Sequence, residues 1–423
     1  MTLIDRDKRY VWHPFTQAQI APDPIPIVKG DGVWLYDEDG NKYLDSNSSW
    51  WTIIHGHGHP YLAEKLHKQF LTLDHTVFAG ATHPAAVEAA EKVLKVLPNN
   101  FEKIFFSDNG STSVEVGIKM VYQYWYNKEI ERKRFLALEG AYHGDTFGAM
   151  SVGQRGYFNK PFEHLFFDVD YIPLPTEENV DQICEQMVKL FESGEFAGFI
   201  FEPLVQGAAG FRIYSPEHLD RMMEIARRYG VKIIADEVMT GFGRTGKTFA
   251  IQHLKNCPDI VCMSKGLTGG VMACGFTAAT GEMYDSFLSD DLGKALLHGH
   301  SFTANPLSSA IVSASLDLLM AENTQKRIQQ ISKAHQRFVK EHQNNPIFRS
   351  VKSLGTILSC EVEIGEESGY FSDLRTKAYN FFLENEILNR PLGNVIFFNP
   401  PYCITDEELD DFYQKLMKFL NEQ

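Results

Sequence analysis

Asp259-Ile-Val-Cys-Met-Ser-Lys-Gly-Leu-Thr-Gly-Gly270 is a short apolar run that ends on a lysine, Lys265, and then on glycines. About thirty residues upstream, Val231-Lys-Ile-Ile-Ala-Asp-Glu-Val238 ends in the same way, on Asp236. Two short hydrophobic strands that each deliver one charged group at a carboxyl end predict an open α/β site, because ligands collect at such strand ends. An amine and a carboxylate so placed meet the needs of pyridoxal phosphate. The amine forms a Schiff base with the aldehyde, and the carboxylate keeps the pyridine nitrogen protonated so that the ring accepts electrons. A structural ion pair at a sheet edge fits the same spacing. These two runs alone leave both readings open.

Composition narrows the field. A chain of 423 residues, 44% hydrophobic and 22% charged, is long enough for about two or three domains. The aromatic share of 13% supports large cores or pockets for flat ligands. A formal charge of −15 argues against nucleic-acid binding, which needs clustered positive surface. No apolar run approaches the roughly twenty residues of a membrane span. The opening Met1-Thr-Leu-Ile-Asp-Arg-Asp lacks the apolar stretch of a signal peptide. Cysteines at 184, 257, 262, 274, 360 and 403 form no C-x-x-C pair, which fits reduced thiols and a cytoplasmic location.

Along the chain, a hairpin is expected in Val33 to Asp45, its strands flanking an Asp-Gly-Asn turn. From about residue 60 to 310, helical patterns alternate with apolar runs such as Lys103-Ile-Phe-Phe-Ser, Arg134-Phe-Leu-Ala-Leu and Gly198-Phe-Ile-Phe-Glu. This alternation predicts an α/β unit with a parallel or mostly parallel sheet covered by helices. From about residue 307 a long helical stretch leads away, and the remainder reads as a smaller α+β domain. Strands are expected there near 355–363 and 395–398. The expected division is therefore 1–60, 61–310 and 311–423, with the opening segment joining the small domain.

Three further clusters carry chemistry. In Phe105-Phe-Ser-Asp-Asn-Gly-Ser-Thr-Ser-Val, a strand leads through a polar turn into a helix at Gly110, Ser111 and Thr112. Free amides at such a terminus attract a phosphate, although a simple N-cap explains the same residues. Glu139-Gly-Ala-Tyr-His-Gly offers Tyr142 and His143 as flat groups over a ring, or as an aromatic loop plug. Glu202 and Gln206 end a buried run and serve either a ligand or a loop.

The run Asp236-Glu-Val-Met-Thr-Gly-Phe-Gly-Arg-Thr-Gly, then Ser264-Lys-Gly-Leu-Thr-Gly-Gly, then His298-Gly-His-Ser-Phe-Thr-Ala-Asn-Pro resembles the class III aminotransferases of PLP fold type I. The likeness runs nearly end to end, with the motifs in family order. It implies a large domain with a mostly parallel seven-stranded sheet plus a smaller α+β domain. Trp12-His-Pro-Phe-Thr, the pair Trp50-Trp51 and Asn389-Arg-Pro-Leu-Gly resemble the branch of that family serving biotin biosynthesis. The activity so implied is transamination of 8-amino-7-oxononanoate to 7,8-diaminononanoate. A second reading keeps the family but takes an ω-amino substrate such as ornithine or 4-aminobutyrate; an indole wall serves such short charged substrates poorly.

Carried over onto this chain, the resemblance makes Lys265 the Schiff-base lysine and proton shuttle. Asp236 pairs with the pyridinium nitrogen, where a charge-assisted bond is worth roughly 1.5–3 kcal/mol. Val238, two residues along the same strand, packs on one ring face and Tyr142 stacks on the other. Gly110, Ser111 and Thr112 hold the phosphate. Ser301 matches a position from which a neighbouring subunit also reaches the phosphate, which implies a homodimer with shared sites; Gly299 beside it is a substrate contact. Trp50 and Trp51 form an apolar wall for a long aliphatic substrate, and Arg390 clamps its distal carboxylate through a planar fork.

Two positions depart from the common pattern. Phe15 stands where some members carry tyrosine, and Ser301 where some carry threonine. The first change removes a hydroxyl near the substrate and leaves the amino donor open between S-adenosylmethionine, usual in the family, and lysine. His55-Gly-His-Gly-His59 looks like a metal tract, yet no carboxylate or thiolate lies near it in sequence, and the family has a similar turn there, so no metal is expected. Arg244 is expected to hold its glycine-rich loop in place.

Overall fold

The computed structural model describes residues 1–365 and 373–422. Three short strands come first: β1 (Ile27–Asp31), β2 (Trp34–Asp37) and β3 (Lys42–Asp45). The central strands are β4 (Phe101–Ser107), β5 (Arg134–Leu138), β6 (Val169–Ile172) and β7 (Phe196–Phe201). A small hairpin, β8 (Val205–Gln206) and β9 (Arg212–Ile213), precedes β10 (Lys232–Asp236), β11 (Ile260–Met263) and β12 (Gly275–Thr280). The last strands are β13 (Phe348–Leu354), β14 (Ile357–Val362), β15 (Ile387–Leu388) and β16 (Val395–Phe398).

Seven of these build the main sheet, in the order β4-β12-β11-β10-β7-β5-β6. Only β12 opposes its neighbours; the pairs β11–β10, β10–β7, β7–β5 and β5–β6 are all parallel. Strands β7, β10 and β11 are buried along their whole length. That explains why they read as unbroken apolar runs, since both faces of a parallel sheet are covered. Successive side chains serve different cores. Ile233, Ala235, Val261 and Met263 join Leu219, Met222 and Met223 of the helix Pro216–Arg228. Ile234, Ile260 and Cys262 pack with Val114, Val121 and Trp125 of the helix Gly110–Asn127. The period of two thus sends the next even position, Asp236, to the side of that second helix.

Residues at the two ends of the chain share a sheet. β15 adds in parallel to β3, with Ile387 opposite Leu44 and Leu388 opposite Asp45, completing the order β1-β2-β3-β15. The expected hairpin is present, Trp34 facing Leu44 across β2 and β3. A three-stranded sheet, β13-β14-β16, packs with the helices Glu322–His342 and Asp406–Asn421. The long helical stretch after residue 306 is two helices, Pro306–Met320 and Glu322–His342, broken at Ala321. Within the main sheet, β6 and β12 are the two strands that the apolar runs do not mark. The first is a half-buried edge strand, and the second, Gly-Phe-Thr-Ala-Ala-Thr, carries small and polar residues with little hydrophobic signal.

Phe398 and Phe412 are fully buried and stack at 3.8 Å with their planes 13° apart; Phe382 lies 5.7 Å from Phe412. Phe412→Ala is expected to lower unfolding stability by about 3–5 kcal/mol, as for a phenylalanine whose cavity cannot collapse. Chemical denaturation measures this, and a loss under about 1 kcal/mol would show that the stack is dispensable.

Candidate active site

Parallel pairing sets Asp236, the last residue of β10, opposite Cys262 of β11. The chain leaves β11 at Met263, and Ser264 donates its hydroxyl to the Cys274 carbonyl at 2.6 Å. Lys265 then takes φ of +46°, a left-handed conformation that β-carbon sterics disfavour, and opens a short 3₁₀ turn. This reversal carries the lysine to the same crevice as Asp236. One cavity of about 470 Å³ is lined by both, together with Trp51, Gly110, Ser111, Tyr142 and Val238. Its size suits a small cofactor with part of a substrate.

Burial sets the electrostatics. Lys265 keeps some exposure toward the cavity, but the protein around it strips water from its amine and lowers the pKa below 10.5; Asp236 and Glu202 oppose that shift. Its Nζ stands 4.7 Å from the Trp51 ring centre. Asp236 is 4% exposed and doubly held. Oδ1 accepts the Val238 amide at 3.0 Å, and Oδ2 lies 2.7 Å from Nδ1 of the buried His143. Glu202 accepts the amides of Tyr142 at 3.1 Å and Gly207 at 2.9 Å. Desolvation raises its pKa to about 7, against the pull of His143 and those two amides. Tyr142 donates its hydroxyl to Asp145 at 2.9 Å.

The cavity is built for close backbone approach. A Cβ on Gly110 would sit 2.7 Å from Cγ1 of Val238, and one on Gly144 would meet Oγ of Ser111 at 2.1 Å. Asn109 caps the helix Gly110–Asn127, accepting the Thr112 amide at 3.0 Å. Thr112 returns its own hydroxyl to Asp108 at 2.7 Å and accepts the Asn109 amide at 3.1 Å. Gly110 and Ser111, whose amides have no intrahelical partner in this first turn, both line the cavity. These groups suit pyridoxal phosphate: an amine, a fixed carboxylate, a helix terminus for a phosphate and two flat or apolar walls.

Not every expected residue sits where the sequence put it or lines this cavity. Val238 is in the turn after β10 rather than on the strand, because the strand stops where Asp236 turns back to hold its amide. Trp51 is 7% exposed and packs edge-on against Phe211, whereas Trp50 is 45% exposed and does not line the cavity. Phe15 packs on Trp50 at 5.6 Å, and the Arg390 guanidinium covers that indole at 5.3 Å. Gly299 and Ser301 are exposed and also lie off the cavity lining. Arg244 is buried and ties its loop to the segment after β16, donating to Asn399 Oδ1 and the Pro400 carbonyl, both at 2.8 Å. His55 and His57 have separate partners, Ser315 and Asp45. The bond from His143 to Asp236 and the place of Glu202 in the cavity wall are new here; the sequence put all three near strand ends but held no sign of their pairing.

Comparison with known proteins gives a consistent picture. A family model described as aminotransferase class-III matches residues 16–420. The adenosylmethionine-8-amino-7-oxononanoate aminotransferase of Synechococcus elongatus is 42% identical over 98% of this chain and 99% of its own. The enzyme of the same name from Geobacter sulfurreducens is 37% identical over 99% of this chain and 97% of its own. The crystal structure of the namesake from Methanocaldococcus jannaschii superimposes with a TM-score of 0.93 at 32% identity, covering 99% and 98% of the two chains. An omega transaminase from Pseudomonas jessenii, solved with PMP, shares the fold at a TM-score of 0.93 and 22% identity, covering 100% of this chain and 98% of its own.

The lowered pKa of Lys265 has a kinetic consequence. Capture of pyridoxal phosphate by the apoprotein needs the neutral amine, so its rate should rise with pH through a midpoint below 10.5. Stopped-flow absorbance across pH reads this. A midpoint at the ordinary lysine value would contradict the burial argument.

Proposed function

This chain belongs to the class-III aminotransferases, enzymes that work through pyridoxal phosphate, and from that premise we propose that it converts 8-amino-7-oxononanoate to 7,8-diaminononanoate. The relatives from Synechococcus elongatus, Geobacter sulfurreducens and Methanocaldococcus jannaschii carry that acceptor and adenosylmethionine in their names. One observation carries the reading beyond the family. The wall beside Lys265 is an indole, Trp51, and the next indole, Trp50, lies under the guanidinium of Arg390. An apolar path that ends in a cation matches a long aliphatic chain that ends in a carboxylate.

When bound, pyridoxal phosphate supplies a carbonyl carbon for amines and a ring that takes up an electron pair. The chain's own residues supply the rest. Lys265 would hold the cofactor through Nζ, and the same nitrogen, when free, would carry a proton. General acid–base work of that kind contributes roughly 10²–10⁴ in rate. Asp236 holds a negative charge toward the pyridine nitrogen, and His143, donating to its Oδ2, keeps the carboxylate in place. The amides of Gly110 and Ser111, with the Ser111 hydroxyl, bind the phosphate, and Thr112 shapes that terminus. Val238 and Tyr142 bound the two ring faces. Trp51 lines the part of the acceptor's chain beside the amine and Trp50 the outer part, beyond the cavity, where Arg390 takes the carboxylate; Gly299, exposed beside Ser301, contacts the acceptor in the partner's site.

S-adenosylmethionine is the proposed donor. Phe15, which packs on Trp50, offers no hydroxyl there, so lysine is the competing donor. The chain is read as a homodimer, with Ser301 reaching the partner's phosphate site. The exposed Leu297 and Phe302 around Ser301 give that contact an apolar border. Pairing of β3 with β15 supports joining residues 1–60 to the small domain 311–423, with 61–310 as the large one. All six cysteines are free, in keeping with a cytoplasmic enzyme, and among the described residues no helix is long and apolar enough to cross a membrane.

Lys265→Ala should abolish turnover and the cofactor's bound absorbance band; an active, normally coloured variant would remove the lysine from its role. With either donor at saturation, the native enzyme should aminate 8-amino-7-oxononanoate in strong preference to the aldehyde acceptor that corresponds to 4-aminobutyrate. Equal use of the two would sink the acceptor assignment while leaving the family intact.

A further inference from the structure

Just ahead of the two indoles, the run Asp45-Ser-Asn-Ser-Ser49 places five polar side chains in a row, and four of them are buried: Asp45, Ser46, Asn47 and Ser48. The side-chain bonds of Ser46, Asn47 and Ser48 go to one stretch of chain more than three hundred residues away. Ser46 donates to the Leu388 carbonyl at 2.9 Å and accepts from Asn389 Nδ2 at 2.9 Å. Ser48 donates to the Asn399 carbonyl at 2.7 Å. Asn47, 4% exposed, uses both ends of its amide. Nδ2 donates to the Phe397 carbonyl at 3.2 Å, and Oδ1 accepts the backbone amide of Arg390 at 2.7 Å.

That last bond falls on the residue whose side chain covers Trp50. Pro391 follows Arg390 and restricts its backbone to extended conformations. With the amide of Arg390 held by Asn47, little backbone freedom remains, and the guanidinium swings only about its own side-chain bonds. The other end of the same run is equally constrained. Asp45 accepts the Ser49 amide at 2.6 Å, the Ser49 hydroxyl at 2.9 Å and His57 Nε2 at 2.8 Å. These bonds hold Ser49 at φ of 58°, in a run where Ser48 and Trp51 also take φ of 50° and 65°, values that unsupported residues avoid. So one short segment touches the amine, through Trp51 at 4.7 Å from Lys265 Nζ, and the guanidinium, through Asn47 and Trp50.

We propose that Asn47 is a positioning residue for the acceptor: it fixes the reach from the Lys265 amine to the Arg390 guanidinium, and so the chain length that the site accepts. The inference rests on Arg390 binding the acceptor's carboxylate, as read above. Asn47 touches no reacting atom. Its side chain acts through the backbone of Arg390.

The test compares Asn47→Ala, Arg390→Gln and the double variant in the holoenzyme, with 8-amino-7-oxononanoate varied at saturating donor. Asn47→Ala should raise the acceptor KM roughly tenfold, about the worth of one buried hydrogen bond, with kcat little changed. In the Arg390→Gln background the same change should leave KM where Arg390→Gln alone puts it. A KM unchanged by Asn47→Ala, or an equal increase in both backgrounds, overturns the proposal while leaving the clamp standing. If Arg390→Gln itself leaves KM unchanged, the clamp is absent and this inference falls with it. Should the alanine variant not fold, Asn47→Ser stays polar but is too short to keep the bond to the Arg390 amide. That variant should raise the acceptor KM in the same way and only in the native background, and a native KM with it would count equally against the idea.

Discussion

Parallel pairing of β10 with β11 is the constraint on which the site depends. Two neighbouring strands that run the same way end on the same edge, one on Asp236 and the other two residues short of Lys265. The amine and the acid are brought together by register, well before any side-chain contact. An antiparallel pair would put them on opposite edges of the sheet. The lone reversed strand, β12, lies on the far side of β11 and leaves this geometry intact.

Keeping such groups in a dry crevice costs stability, and the surroundings show how the cost is offset. Asp236 has a histidine and a backbone amide, and Glu202 has two amides. The backbone strain at Lys265 is held by a neighbouring hydroxyl-to-carbonyl bond, that at Ser49 by the carboxylate of Asp45, and that at Ser48 by its hydroxyl bond to the Asn399 carbonyl. Strain of this kind persists where the surrounding bonds outnumber the ways to relax it. Both strained points carry residues of the proposed chemistry.

Much of this was legible in the chain. Strands β10 and β11 were readable because double-sided burial turns them into plain apolar runs, and their polar ends stood out against that background. The helix start at Gly110 was readable from its strand, polar turn and helix order. What the sequence could not show was pairing across distance. Nothing near His143 signals Asp236, and nothing near Asn47 signals Arg390, because those contacts are made by the fold. Val238 was put on the strand since no local residue marks the point where Asp236 folds back on the chain. Thr112 looked like a phosphate ligand for the same reason: its neighbours suit both a cap and an anion, and the structure commits its hydroxyl and amide to the cap.

The pairing of β3 with β15 has a bearing on how the molecule is made. Leu44 and Ile387 stand side by side, so a sheet begun by the first fifty residues waits for nearly the whole polypeptide to leave the ribosome. Closing so long a loop is slow compared with forming the local α/β units between them. The central sheet, with its lysine and aspartate, can assemble during synthesis, whereas the ledge carrying the indoles is completed last. A newborn chain therefore gains its cofactor crevice before it gains the surface that chooses what enters.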